Sequence, residues 1–154
     1  MDVKFDISYG SITEFDLKTL ETSHDLKLPD DYREFLKKYN GLTRPSRYAI
    51  PYYIDRDIEW AWLTVLTGVV SKNDKVKVPK DYPDLPPLRE LYTIGFDAGA
   101  NAFVMSLQDN DYGSIYFWDE TYIDDYLNPK SGLYFIASNF TEFLEKSCTY
   151  KEVM

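Results

Sequence analysis

One segment of the chain, residues 29–41, has the pattern of a complete amphipathic helix with both ends marked. Pro29 suits the first helical position, because its fixed φ is already helical and no hydrogen bond is lost there. Asn40 and Gly41 provide a left-handed stop at the other end. One apolar stripe runs between the two ends, at Tyr32, Phe35, Leu36 and Tyr39. The segment therefore predicts a helix that buries this stripe.

A first helix is expected to begin earlier, near Ser11. Ser11 and Glu14 fit a capping box, in which a hydroxyl and a carboxylate each accept a backbone N–H. The buried face of this helix is expected to hold Ile12, Phe15 and either Thr19 or Leu20.

A last helix is predicted after Ile136. Ser138 or Asn139 caps it, and Glu142 is placed to close a capping box from Asn139. The inward stripe of this helix is Phe140, Phe143, Leu144 and Cys148.

The region between the helices is rich in β-prone runs. Strands are predicted from Leu91 to Phe96, from Ala102 to Leu107 and from Ser114 to Trp118, and residues 108–113 make a hairpin turn. Residues 48–54 also have a strand pattern, with Pro51 at an edge or a bulge. Residues 63–70 fit either a strand or the continuation of a short helix that begins near Asp57.

This order of elements predicts an α+β fold. We expect an antiparallel (mixed) sheet packed against N-terminal helices and a C-terminal helix, in a single domain over residues 1–154. Cys148 is the only cysteine, so no disulfide forms within the chain. The N-terminus lacks a signal-peptide pattern, and no apolar run approaches the roughly 20 residues of a membrane span. A cytoplasmic protein that contacts no membrane is expected.

The charge of the chain argues against nucleic-acid binding. The net charge is −9, whereas binding to a phosphate backbone needs clustered Lys and Arg. The acidity is local, since residues 92–154 carry ten acids and three bases, a net charge of −7. A basic protein partner fits such a field better than a nucleic acid does.

Patterns for catalysis or for metal binding are weak. His24 is the only histidine, and no nearby pattern supplies a nucleophile for it. Asp109 and Asp111 resemble cation ligands, but the twelve-residue calcium spacing is absent, and a hairpin turn favours the same residues. We therefore expect no catalytic residue, no bound metal and no cofactor.

An acidic, aromatic stretch begins in the predicted hairpin turn, continues beyond it and allows two interpretations. It is either a solvated surface that keeps the protein soluble or a docking face in which carboxylates steer a basic partner and aromatic rings anchor it. The candidate residues are Asp109, Asp111, Tyr112, Trp118, Asp119, Glu120, Tyr122, Asp124 and Asp125.

A second candidate docking patch lies within residues 52–62. Trp60 and Trp62 share a face if this segment is a strand and diverge if it is a helix, and at least one of them is expected in the core. The candidate contact residues are Tyr52, Tyr53, Asp55, Asp57 and Trp60.

Four segments, in order, resemble the SUKH superfamily of Smi/Knr-type domains. Residues 28–41 are similar to its characteristic helix, 94–107 to its Gly/Asp turn and strand, 115–119 to its aromatic strand, and 136–144 to its closing helix. The chain departs from the family at Asn101, where an acid is frequent, and residues 42–90 match no motif.

The resemblance implies a protein-binding role without catalysis. Many bacterial members of the superfamily are immunity proteins that bind and neutralise toxins, frequently nucleases. Fungal relatives are scaffolding regulators of cell-wall assembly, which makes a scaffold or regulatory domain the alternative, with an enzyme of unknown type third. Because residues 52–62 lie in the region that varies most within the family, this second patch is also a candidate for partner specificity.

Overall fold

The computed structural model describes residues 7–8, 12–39, 42–54, 56–66, 91–97, 99, 101–119 and 132–149. Its helices are α1 (Glu14–Ser23), α2 (Asp30–Tyr39) and α3 (Phe140–Lys146). Its strands are β1 (Ile7–Ser8), β2 (Leu42–Ile54), β3 (Asp57–Leu66), β4 (Leu91–Asp97), β5 (Ala102–Ser106), β6 (Ile115–Trp118), β7 (Leu133–Ala137) and β8 (Cys148–Thr149). A short 3₁₀ turn, Asp109–Asp111, joins β5 to β6.

The strands form one sheet in the order β1-β2-β3-β4-β5-β6-β7, with β8 also paired to β2. Every strand pair within the described residues is antiparallel. Consecutive strands are therefore neighbours along most of the sheet, and the predicted α+β fold class is confirmed. The hairpin predicted over residues 102–118 is the pair β5–β6, with Phe103 opposite Phe117.

Helix α1 begins slightly later than predicted. Thr13 is the N-cap, and its hydroxyl accepts the backbone N–H of Asp16 at 3.1 Å, while the Asp16 carboxylate accepts that of Thr13 at 2.9 Å. The capping box therefore uses Thr13 and Asp16 and not Ser11 and Glu14.

The side chains that α1 buries also differ from the prediction. Leu17 and Leu20 lie in the core together with Ile12, whereas Phe15 is 77% exposed. The predicted burial of Phe15 is wrong. Leu17 takes its place because it lies one turn before Leu20 on the same helical face.

Helix α2 confirms the predicted apolar stripe, because Tyr32, Phe35 and Leu36 are buried. The predicted stop at Asn40 and Gly41 lies outside the described residues. The first turn of α2 also connects to α3. The Asp31 carboxylate accepts the backbone N–H of Thr141 at 2.9 Å and the hydroxyl of the same residue at 3.0 Å. The two helices are thus held in a fixed register above the sheet.

Helix α3 ends before the predicted stripe does. The Asn139 side chain accepts the N–H of Glu142, as predicted, but the Glu142 carboxylate accepts the N–H of Ser138 and not of Asn139. Cys148 lies in β8 opposite Ala49 of β2, so its assignment to the helix is wrong. The extended backbone of Ser147 ends the helix and allows the chain to rejoin the sheet.

The main core lies between the helices and one face of the sheet, and it is largely aromatic. The Phe140 ring centroid lies 4.8 Å from that of Phe35 and 4.9 Å from that of Tyr32. Phe143 lies 5.8 Å from Phe103 of β5, which ties α3 to the sheet. Leu36 is also buried and Leu144 is partly buried, so the predicted packing faces of α2 and α3 are confirmed.

The middle of the chain forms a long hairpin, β2–β3. Residues 57–66 are a strand and not a helix, which settles the open alternative for residues 63–66, while residues 67–70 lie outside the described part. An irregularity in β2 shifts the register between the pairs Thr43–Val65 and Tyr48–Leu63. Pro51 lies where β2 has only β3 as a strand neighbour within the described residues, as expected for an edge.

Candidate docking surface

The acidic turn after β5 is held together by one of its own carboxylates. Asp111 accepts one hydrogen bond from the Ser106 hydroxyl and a second, of 2.6 Å, from the Tyr116 hydroxyl. Burial, together with this bond to Asp111, raises the pKa of Tyr116 to about 12. Asp109 is exposed. Within this turn, Asp109 therefore presents its charge to solvent, whereas Asp111 stabilises the turn itself.

Tyr112 fixes the same turn to the helices. Its side chain is exposed, but its hydroxyl donates a 2.6 Å hydrogen bond to the Lys27 carbonyl in the α1–α2 connection. Partial burial, with nearby carboxylates, raises the pKa of this phenol. Tyr112 can thus offer one side of its ring to a partner while its position remains fixed.

The later residues of the acidic stretch have different surroundings. Trp118 is 4% exposed and Asp119 is 6% exposed, so neither offers much surface in the free protein. Trp118 packs with Leu91, Ala102 and Val104, and its indole N–H lacks a hydrogen-bond partner within the described residues. The remaining candidates, Glu120, Tyr122, Asp124 and Asp125, lie outside the described residues.

The second candidate patch is the β2–β3 hairpin, and its two tyrosines have different roles. Tyr52 is in the core, with ring centroids 4.6 Å from Phe117 and 5.5 Å from Tyr134. Tyr53 is exposed and lies 5.6 Å from the Lys146 ammonium, which also lies 5.8 Å from the exposed Phe135 ring. Asp57 is exposed, and Asp55 lies outside the described residues.

Both tryptophans of the hairpin face outward. Trp60 is 39% exposed and Trp62 is 38% exposed, so the prediction that at least one belongs to the core is wrong. The strand period of two explains the result, because Ala61 and Leu63 occupy the buried face and leave the tryptophans on the other. Ile58, on the same face, is 51% exposed. We call Ile58, Trp60 and Trp62 the β3 apolar row.

A cleft of about 220 Å³ lies beside this row. It brings together three predicted contact residues, Tyr52, Trp60 and Asp119. The full lining is Tyr52, Trp60, Ala61, Trp62, Asp97, Gly99, Asn101, Phe117 and Asp119. The cleft is smaller than the roughly 300–1,000 Å³ of typical small-molecule pockets, and it suits a single side chain better.

The polar wall of the cleft includes a tight turn that the sequence analysis did not assign to the site. The Asp97 carboxylate accepts the N–H of Gly99 at 2.9 Å and that of Asn101 at 2.8 Å, and its second oxygen accepts the Asn101 amide at 3.1 Å. The Gly/Asp turn was recognised only as a fold motif. Its place beside Trp60 depends on how far β3 extends past β4, which no local pattern reveals.

A larger open groove, of about 680 Å³, lies against α1 and α2. Several of its charged side chains already have partners. Arg33 lies 2.6 Å from Glu14 and 3.1 Å from Glu21, and the hydrogen bond to Arg33 lowers the pKa of Glu14. A ligand would have to displace these pairs, so this groove is the weaker candidate.

The described residues show few features of other functions. His24 follows α1, where its backbone N–H bonds to the Leu20 carbonyl. Across these residues no three His, Cys, Asp or Glu side chains form a group suited to a metal ion. None of the three described helices has the length and apolar character needed to span a membrane.

The sequence comparisons agree with the fold. Residues 11–146 match the family model described as "SMI1 / KNR4 family (SUKH-1)". A similar protein is the "SPbeta prophage-derived uncharacterized protein YokK" of Bacillus subtilis (strain 168), which is 30% identical over 152 residues, covering 88% of this chain and 75% of that protein. The four motifs that suggested the SUKH superfamily all fall within the matched range. The chain belongs to the SMI1/KNR4 (SUKH-1) family.

Proposed function

We propose that this protein is an immunity-type binding domain that attaches to a toxin, with a nuclease as the favoured target, and neutralises it without catalysis. The observation that carries the proposal is the β3 apolar row beside a cleft lined by Asp97 and Asp119. Family membership supports a binding role of this kind.

The apolar row has the character of a binding anchor. Ile58, Trp60 and Trp62 together expose apolar surface on one face of one strand, and tryptophan is among the residues that contribute most to protein interfaces. Shielding these side chains from water would provide much of the binding free energy.

The surrounding charge favours a basic partner. Asp57 and Glu59 are exposed on β3, the cleft includes two further acids, and the whole chain has a net charge of −9. Nucleases attract phosphate and therefore have positive active-site surfaces, which complement this field. An inhibitor bound over such an active site would block the access of nucleic acid to it in the cytoplasm.

The proposal is tested by co-expression with a toxin domain, sought first among the products of neighbouring genes. We expect the intact protein to restore growth and to form a complex with that domain. Trp60→Ala should weaken the complex by about 30-fold or more, as for an interface hot spot worth at least roughly 2 kcal/mol. Phe15→Ala is the matched control, because it removes an exposed ring from α1 and should leave binding unchanged.

Two results would overturn parts of the proposal. No rescue together with no complex would refute immunity against that toxin. A complex with a protein that is not a toxin, weakened by Trp60→Ala, would favour the scaffold or regulatory role instead.

A further inference from the structure

We propose that the partner binds by adding an extended strand, with alternating basic and apolar residues, to the open edge of β3. This inference deepens the proposed function and rests on it only for the basic character of the partner. It concerns how the chains pair and not what the partner does.

Among the described residues, the strand register leaves one edge of β3 open. β3 pairs with β2 from Asp57 opposite Ile54 to Leu63 opposite Tyr48, and again at Val65 and Leu66 after a register shift. It pairs with β4 only from Leu63 onward. Within the described residues, no strand pairs with the β4-side edge of β3 from Asp57 to Ala61.

This edge has the dimensions of a strand-binding site. Five residues span about 17 Å at roughly 3.4 Å per residue, which is the length of an average strand. An open edge presents unpaired backbone N–H and C=O groups that accept another strand, and proteins generally cover or blunt such edges. The cleft lies between this part of β3 and the β4–β5 turn, so an incoming strand has space beside it.

The two faces of the edge define the chemistry of the incoming strand. Ile58 and Trp60 point to one face, and Asp57 and Glu59 to the other, because side chains alternate along a strand. In an added strand, residues on the first face would contact the apolar row and should be apolar. Residues on the second face would lie opposite carboxylates and should be Lys or Arg.

The same charges disfavour a second copy of this chain as the occupant. Edge-to-edge pairing of two β3 strands would bring Asp57 and Glu59 close to the same carboxylates of the other copy, and like charges across strands are destabilising. The nearby cations do not offset this repulsion. Arg56 lies at the hairpin tip, and Lys146 lies beside Tyr53 and forms a 3.0 Å ion pair with Glu142. A basic strand from another protein meets no such repulsion.

The first test uses a synthetic peptide of alternating arginine and valine, titrated into the protein and followed by the indole N–H signals of Trp60 and Trp62. Two N-methylated isomers of this peptide are compared. Each carries methyl groups at alternate residues, so that it blocks the backbone N–H groups along one edge of the strand and leaves those of the other edge free. Strand addition uses the N–H groups of one edge only, so one isomer should bind about tenfold or more weaker and the other nearly as well as the parent. Equal affinity of the two isomers, or no saturable binding by the parent peptide, would overturn the inference.

A charge reversal tests the predicted residue pattern. Glu59→Lys should reverse the preference, so that a peptide of alternating glutamate and valine binds more tightly than the arginine peptide. Glu34→Lys is the matched control, because it makes the same change on the exposed side of α2 and should leave the preference unchanged. An unchanged preference in Glu59→Lys, or self-association of the protein that competes with the peptide, would count against the inference.

Amide hydrogen exchange in the complex with the toxin domain separates this inference from the proposed function. Strand addition should newly protect alternate amides between Asp57 and Ala61, because the others already bond to β2. A tight complex without this protection would overturn the inference and leave the proposed function standing. Peptide binding with the predicted N-methyl pattern, without any toxin complex, would support the inference and count against the function.

Discussion

The Asp111→Asn substitution separates a structural carboxylate from a steering one. Asp111 accepts hydrogen bonds from Ser106 and Tyr116, and each hydrogen bond to a charged group contributes roughly 1.5–3 kcal/mol. Asparagine retains one acceptor oxygen but places an amide N–H₂ where the second oxygen was. We therefore expect the loss of about one such bond, or roughly 1.5–3 kcal/mol of unfolding free energy.

Asp109→Asn provides the matched control. Asp109 lies two residues before Asp111 and is exposed, so the substitution removes the same charge from a side chain in contact with solvent. Its effect should be within about 0.5 kcal/mol. Thermal unfolding should show a decrease in Tm of roughly 3–12 °C for Asp111→Asn and almost none for Asp109→Asn. Equal Tm values for the two variants would refute the structural role of Asp111.

Two further predictions concern the core and alkaline pH. Phe143→Ala should lower the free energy of unfolding by about 3–5 kcal/mol in urea titrations, because this buried ring packs on Phe103 and Phe140, whereas Phe15→Ala should change it little. An unchanged midpoint for Phe143→Ala would refute the packing of α3. Burial and the hydrogen bond to Asp111 raise the pKa of Tyr116 to about 12 in the folded state. The contribution of the neutral phenol to the free energy of unfolding is therefore complete below about pH 10 and is lost as the pH rises toward 12. Tyr116→Phe should therefore flatten the decrease in stability over this pH range, and an unaltered pH profile would contradict that assignment.

The helices and the C-terminal hairpins could be predicted because their signals are local. The stripe on α2 and the Asn139 cap of α3 depend on neighbours within one or two turns, and both are confirmed. The start of α1 was harder, since both Ser11 and Thr13 have an acid three residues later and either can form a capping box. Cys148 was assigned to α3 by spacing alone, whereas its backbone pairs with the distant Ala49.

The candidate site depended on tertiary relations that no sequence window contains. Strand periodicity correctly predicted that Trp60 and Trp62 share a face if the segment is a strand. Which face is buried is decided by Ala61 and Leu63, together with the core that they meet. Likewise, Asp119 meets Trp60 in one cleft only because β3 extends past the end of β4.

The last prediction concerns the acids of β3 and distinguishes steering from anchoring. Neutralising Asp57 and Glu59 together, to Asn and Gln, should slow association with the toxin domain a few-fold. That is a small part of the roughly 10- to 1,000-fold that a full steering field provides. Dissociation should change little, because rim charges act mainly on the association rate. The difference from wild type should disappear near 1 M salt, where the Debye length is about 3 Å instead of about 10 Å at 0.1 M.

Trp60→Ala should behave in the opposite way in the same stopped-flow or surface-binding experiment. Loss of a packed ring is felt after docking, so dissociation should accelerate while association stays nearly constant. Glu34→Gln controls for the loss of an acidic charge elsewhere on the surface and should leave both rates unchanged, because Glu34 is exposed and lies on α2. If the association rate is indifferent to Asp57, Glu59 and salt, the acids of β3 do not steer the partner. Binding would then depend on the apolar row alone.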